Sequence, residues 1–213
     1  MKNIILNTSS ATYVEKKSKF IATITPIFSV SDAENFYKDM KKQYYDARHN
    51  VFAYTINFDN PIEKYSDDGE PSLTAGFPIM KTIQGYNLSN VFICVTRYFG
   101  GILLGTGGLV KAYTEASKLA IENSNIISVS KYTNINILCD YDNFNQIKYF
   151  FSKYGLIYKI DYTDKVLLDI FIKQDQLEKI TDEYINLTNN NYPIKKINEN
   201  YIHIEDSTIK HIF

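Results

Sequence analysis

Five glycines, Gly100, Gly101, Gly105, Gly107 and Gly108, fall within nine residues of a chain that has only nine glycines in 213. A cation stands on each side of them, Arg97 before and Lys111 after. Glycine admits positive φ and lets a backbone approach another group closely. The run follows the apolar segment Val91 to Thr96 and opens a helical pattern. A glycine-rich turn at a helix N-terminus leaves backbone N–H groups free to hold an anion. Arg97 and Lys111 would add charge-assisted hydrogen bonds to a phosphate. The run is not a P-loop, which needs Gly-Lys-Ser/Thr, nor a dinucleotide fingerprint, which needs an acid closing a second strand. Close packing is the competing reading: Gly100 and Gly101 would bulge the strand, and Gly105, Gly107 and Gly108 would let the helix approach the sheet. Tyr98 and Phe99 could stack on bases.

A second group is acidic. Asp67, Asp68 and Glu70 lie within four positions, and His49 precedes a strand. Together they could form a functional surface, a partner-binding surface or a hard-metal site. Their spacing matches no metal-ligand loop. Asp67 and Asp68 could equally turn the chain and cap the helix that Pro71 announces. A catalytic His49 would need a carboxylate to orient it, and the sequence does not choose among Asp46, Asp67, Asp68 and Glu70. No nucleophile elbow and no Cys–His pairing stand out. No catalytic residue, metal or cofactor is therefore expected, and binding fits better than catalysis.

These residues need elements to position them. Ala11 to Phe28 reads as extended. A helix begins at Ser31, with Ser31 and Glu34 as a capping box and Ala33, Phe36, Tyr37 and Met40 at helical spacing. Val51 to Phe58 alternates as a strand. Asp59 to Asp68 reads as an exposed mobile loop. Ala75 to Tyr86 is a short helix despite Pro78, and Gly107 to Asn123 is an amphipathic helix. After about residue 127 the order becomes βαββαβ. Its elements are Ser128 to Cys139, a helix Tyr141 to Tyr154 ended by Gly155, strands Leu156 to Tyr162 and Lys165 to Lys173, a helix Asp175 to Thr188 capped by Asp175, and a last strand region Tyr192 to Glu205 broken near Asn198. That is the ferredoxin-like order.

Composition is that of an ordinary globular protein large enough for a real core. A net charge of −1 argues against a strongly basic nucleic-acid coat. Cys94 and Cys139 sit alone in apolar runs and read as buried thiols. The N-terminus lacks a signal-peptide core, and no stretch approaches a membrane span, so a cytoplasmic protein without membrane contact is expected.

Two blocks carry a resemblance: Ser66-Asp67-Asp68-Gly69-Glu70-Pro71-Ser72-Leu73-Thr74-Ala75-Gly76, and the run Arg97-Tyr98-Phe99-Gly100-Gly101 continuing through Leu104-Gly105-Thr106-Gly107-Gly108-Leu109-Val110-Lys111. With Asp46-Ala47-Arg48-His49-Asn50 they resemble the signature of the IMPACT/YigZ family over about the first 125 residues. One departure is visible: the family has Gly where this chain has Leu73. The resemblance implies an α+β protein of two domains. Residues 1–127 would form an α/β sandwich like domain 2 of a ribosomal small-subunit protein, its strands backed by two helices. Residues 128–213 would form a ferredoxin-like domain resembling the last domain of elongation factor G. Both domain types occur in translation. The eukaryotic relative, which shares only the first domain, resembles a translation regulator that acts by binding a partner protein.

The expected function is therefore a translation-associated binding protein, contacting ribosome, RNA or a translation-regulator protein through its N-terminal domain. The alternative is an enzyme or binding protein for a phosphorylated small molecule or nucleotide. Fold alone gives neither, and the oligomeric state is not written in the sequence.

Overall fold

Strands His49–Ile56 and Val91–Tyr98 have buried side chains on both faces, and they organise the first half of the chain. The computed structural model describes residues 1–206 and 208–213. The chain divides into two compact units, Lys2–Ser128 and Val129–Phe213. The first contains β1 (Lys2–Ile5), β2 (Ser9–Glu15), β3 (Ser18–Pro26), α1 (Val30–Gln43), β4 (His49–Ile56), β5 (Ile62–Ser66), α2 (Gly76–Gly85), β6 (Val91–Tyr98) and α3 (Gly105–Glu122). Strands β2-β3-β6-β4-β5 form one antiparallel sheet.

Alternation along the two central strands divides the core. Val51 and Ala53 of β4, with Val91, Ile93 and Val95 of β6, pack with residues of α2 and α3. Phe52, Tyr54, Ile56, Phe92 and Cys94 point the other way, toward Ala33, Phe36, Tyr37 and Met40 of α1. Successive strand side chains face opposite sides of a sheet, so two buried faces need helices on both. The expected sheet backed by two helices is therefore a three-layer sandwich. Ala112, Ala116 and Ala120 recur every four residues on the buried face of α3. Their small side chains let this helix lie close to the sheet.

Several local expectations are corrected. The extended segment Ala11 to Phe28 is a hairpin, turned by Lys16 and Lys17 at φ 45° and 67°. The first helix is capped by Ser29, whose side chain accepts from the Asp32 amide, while Asp32 Oδ2 accepts from the Phe28 amide. The capping pair thus lies two residues earlier than Ser31 and Glu34. The expected loop Asp59 to Asp68 contains β5, an edge strand paired with β4.

The second unit holds most of β7 (Ile126–Cys139), then α4 (Tyr141–Tyr154), β8 (Leu156–Tyr162), β9 (Val166–Lys173), α5 (Leu177–Thr188), β10 (Lys195–Glu205) and β11 (Thr208–Ile212). Sheet order β10-β7-β9-β8, all antiparallel, is the ferredoxin-like arrangement, with β11 added at the β10 edge. Ile135, Ile137, Leu168 and Ile170 meet Ile147, Phe151, Ile180 and Tyr184 in its core. Asp175 lies in a 3-10 turn and does not cap α5. Gly155 ends α4 at φ −139°, which is extended and not left-handed. Its need for glycine is packing: a Cβ there would lie 3.0 Å from Ile170 Cγ2. β10 runs unbroken through Asn198, with a register shift between Lys196 and Asn198.

Candidate functional site

The acidic block folds back on the backbone around it. Asp67 Oδ1 accepts from the amides of Ala75 (3.0 Å) and Gly76 (2.8 Å), and Oδ2 from Leu73 (2.9 Å). It supplies the cap that Ala75, at the start of α2, has no side chain to provide. Asp68 Oδ2 accepts from the Asn50 amide at 2.6 Å, and its Oδ1 lies 3.7 Å from Lys41 Nζ. Both aspartates therefore build the turn, which also requires positive φ at Asp68, Gly69 and Leu73. Leu73, at φ 62°, occupies the position where the family signature has glycine, and the left-handed backbone explains that preference.

Glu70 differs. Its carboxylate receives Arg97 Nη1 at 2.6 Å and the Tyr113 hydroxyl at 2.8 Å. The ion pair is nearly sealed, with side chains 4% and 8% exposed for Glu70 and Arg97. The Arg97 guanidinium also sits over the rings of Phe20 (5.4 Å) and Phe99 (5.8 Å). Burial, then the Glu70 charge, raises the Tyr113 hydroxyl far above the ordinary phenol range, so it donates to Glu70 at any physiological pH. Arg97 Nε is buried and has no hydrogen-bond partner.

His49 pairs across the sheet with Arg97. Its Nδ1 lies 2.8 Å from the Asp68 carbonyl oxygen. A carbonyl only accepts, so Nδ1 carries a proton and Nε2 is the ring nitrogen left for another partner. The orienting group is thus a backbone carbonyl and none of the four carboxylates named as candidates. Asp46 instead accepts from the Tyr98 hydroxyl, at 2.8 Å.

The glycine run resolves position by position. A Cβ on Gly100 would meet the Lys17 carbonyl carbon at 2.0 Å, and the Gly100 amide donates to Ser18 Oγ. That glycine packs the run onto the β2–β3 turn. Gly101 and Gly105 have φ 84° and 71° with open space around them. Gly108 is close to Leu104, and Gly107 faces open space. Helix–sheet packing therefore does not account for Gly105 or Gly107, because nothing stands near a Cβ at either. The helix begins at Gly105, two residues before the expected start, and Leu104 gives it no side-chain cap.

His49, Glu70, Arg97 and Gly105 line one cleft of about 430 Å³, together with Arg48, Phe99, Leu103 and Thr106. Asp67, Asp68, Gly100, Gly101, Gly107, Gly108 and Lys111 do not line it; Lys111 is exposed on α3. Arg48 was not singled out from the sequence, although it is the direct neighbour of His49. Exposed Ile102 and Leu103, the latter 84% accessible, form an apolar rim with Phe99. A larger groove, about 620 Å³, runs between α2 and α3 over Leu73, Phe77, Pro78 and Val110. No cluster of three metal-ligating side chains occurs among the described residues, and no helix among them is long and apolar enough to cross a membrane.

Known proteins place this architecture. A family profile described as the Impact N-terminal domain matches residues 16–121, and one described as a domain of unknown function (DUF1949) matches residues 137–191. The IMPACT family member YvyE of Bacillus subtilis is 30% identical over 200 residues, covering 93% of this chain and 91% of the relative. The IMPACT family member YigZ of Escherichia coli is 33% identical over 175 residues, covering 80% and 86%. A crystal structure described as a hypothetical protein superposes with a TM-score of 0.59 at 28% identity, covering 93% of this chain and 98% of that one. With the cleft built from the same blocks that carry the signature, and with these relatives matching along nearly their whole length, the chain belongs to the IMPACT family.

Proposed function

We propose that this chain is a translation-associated regulatory binding protein that makes its contacts through the N-terminal domain. The observation that carries the reading is where unspent binding capacity collects. The cleft and its rim hold an exposed guanidinium (Arg48), a free ring nitrogen (His49), an uncapped helix start and an apolar edge at Phe99, Ile102 and Leu103. Arg48, His49, Phe99 and the start of α3 lie in the signature blocks, and Ile102 and Leu103 bridge the two parts of the second block. Exposed apolar side chains grouped at a polar cleft suit a partner surface. The family resemblance supplies the translational context, and the partner's class, ribosome, RNA or regulator protein, belongs to the proposal.

The test is crosslinked pull-down and gradient sedimentation from native extract at low salt, comparing wild type with Leu103→Asp. Leu103 is nearly fully exposed, so the substitution spares the fold. Enrichment of ribosomal particles or a translation factor that Leu103→Asp abolishes is the expected result. Wild type that sediments alone throughout overturns the reading.

A further inference from the structure

We propose that the cleft at the start of α3 binds a phosphate monoester carried on a ribose. The proposal rests on the N-terminal domain being the binding surface and names a ligand for it.

Three sets of donors meet there, of which only Arg97 has an acceptor, Glu70 on its Nη1. α3 is 18 residues long and begins with no side-chain cap, and its first residues Gly105 and Thr106 line the cleft. Their end of the helix presents orphan N–H groups and the positive end of the macrodipole. The Arg97 side chain, more than nine-tenths buried, lines the same cleft and keeps Nε without a partner. Arg48 stands exposed on the cleft, with no hydrogen bond or ion pair among the described residues.

The nearby carboxylates do not cancel this. Glu70 is held by Arg97 and Tyr113, and Asp68 by the Asn50 amide and Lys41. With the Arg97 charge met by Glu70, the unpaired Arg48 guanidinium and a helix N-terminus remain, and together they suit an anion with several terminal oxygens.

Phosphate alone leaves the cleft unfinished. His49 Nδ1 is spent on the Asp68 carbonyl, which leaves Nε2 as the free polar atom of a ring that lines the cleft. A sugar hydroxyl, which both donates and accepts, complements that nitrogen in either protonation state. Phe99, half exposed and backed by Arg97, offers a flat face for a base. A volume of about 430 Å³ falls in the range of small-ligand sites. The monoester could come from a free nucleotide or from the phosphorylated end of an RNA.

Isothermal titration of the full chain separates these. The probes are adenosine monophosphate, adenosine, inorganic phosphate, and a short RNA with or without a 5′-phosphate. The monophosphate is expected to bind at least about tenfold tighter than adenosine or inorganic phosphate, and Arg48→Ala to weaken it about tenfold or more. RNA that binds only when phosphorylated, with no mononucleotide binding, assigns the site to RNA ends and supports the proposal. No binding of either phosphorylated probe at about 1 mM overturns it, as does an Arg48→Ala chain that binds unchanged. Inorganic phosphate binding as tightly as the nucleotide overturns the ribose half. Ribosome enrichment is a separate readout: nucleotide binding without enrichment removes only the translational reading, and enrichment without nucleotide binding removes only this one.

Discussion

The two domains handle polar groups in opposite ways. In the N-terminal domain, charge is taken inside: Glu70 and Arg97 form a nearly sealed pair, and Asn50 accepts from Thr96 in a buried hydrogen bond. In the C-terminal domain the space between sheet and helices is lined chiefly by apolar side chains, and ion pairs such as Lys159–Asp161 and Lys165–Asp140 lie at the surface. Its buried oxygens without partners, on Asn134, Asn136 and Asp169, alternate with core residues and so belong to the other face of the sheet. A sealed ion pair is costly to desolvate and is weak evidence for stability. Its presence beside a cleft, in one domain, marks where shape has been held at energetic expense. The space between sheet and helices in the second domain holds no such pair among the described residues.

That contrast can be broken experimentally. The largest effect is expected for Glu70→Ala, which strands the buried Arg97 charge and should cost about 3–5 kcal/mol of N-terminal-domain stability in denaturant unfolding. A loss under about 1 kcal/mol would mean that water reaches the pair, and the contrast would fail. Gly100→Ala drives a Cβ into the Lys17 backbone and should cost about 1–3 kcal/mol, with the cleft loop detaching from the β2–β3 turn in hydrogen exchange. Asp67→Ala removes the cap of α2 and should cost about 0.5–2 kcal/mol, read as a lower thermal midpoint.

The smallest effect is expected in the C-terminal domain, from pH. Lys165 first, then Tyr192, hold the Asp140 carboxyl below its usual range. A depressed carboxyl contributes stability that is complete above its unfolded pKa, about 3.9, and is lost as pH falls through the lower folded value. Acidification below about pH 4 should therefore lower this domain's midpoint slightly, and Lys165→Gln should weaken that dependence, leaving the part that Tyr192 supplies. A large shift that survives Lys165→Gln would show an acid-labile group inside a domain described here as apolar.

Much of this was legible because long periodic segments announce themselves. The α4 boundaries, the βαββαβ order and the central strands follow from period and caps. What escaped depended on single dihedrals or on distant partners. Lysine is no turn residue by type, so Lys16 and Lys17 at positive φ hid the β2–β3 hairpin. β5 and β11 are edge strands with mostly exposed side chains, and they lack the apolar alternation that marks a half-buried strand. Of the site, His49, Glu70, Arg97 and Gly105 were named from residue type and do share a cleft. For Asp67 and Asp68 the sequence offered a functional surface or a turn and helix cap, and the folded backbone decides for the second, because amides consume their oxygens. Arg48 carried no spacing signal of its own.

Gly101 and Gly105 bracket Ile102, Leu103 and Leu104, and the run is fastened just upstream where Gly100 meets Ser18. Two swivels with three residues between them make a crank of fixed throw. Its span is set by residue count more than by residue identity. Inserting or deleting one residue between the swivels would rotate Leu103 away from the rim, whereas exchanging the side chains would leave the aperture as wide as before. In this loop, length sets the aperture.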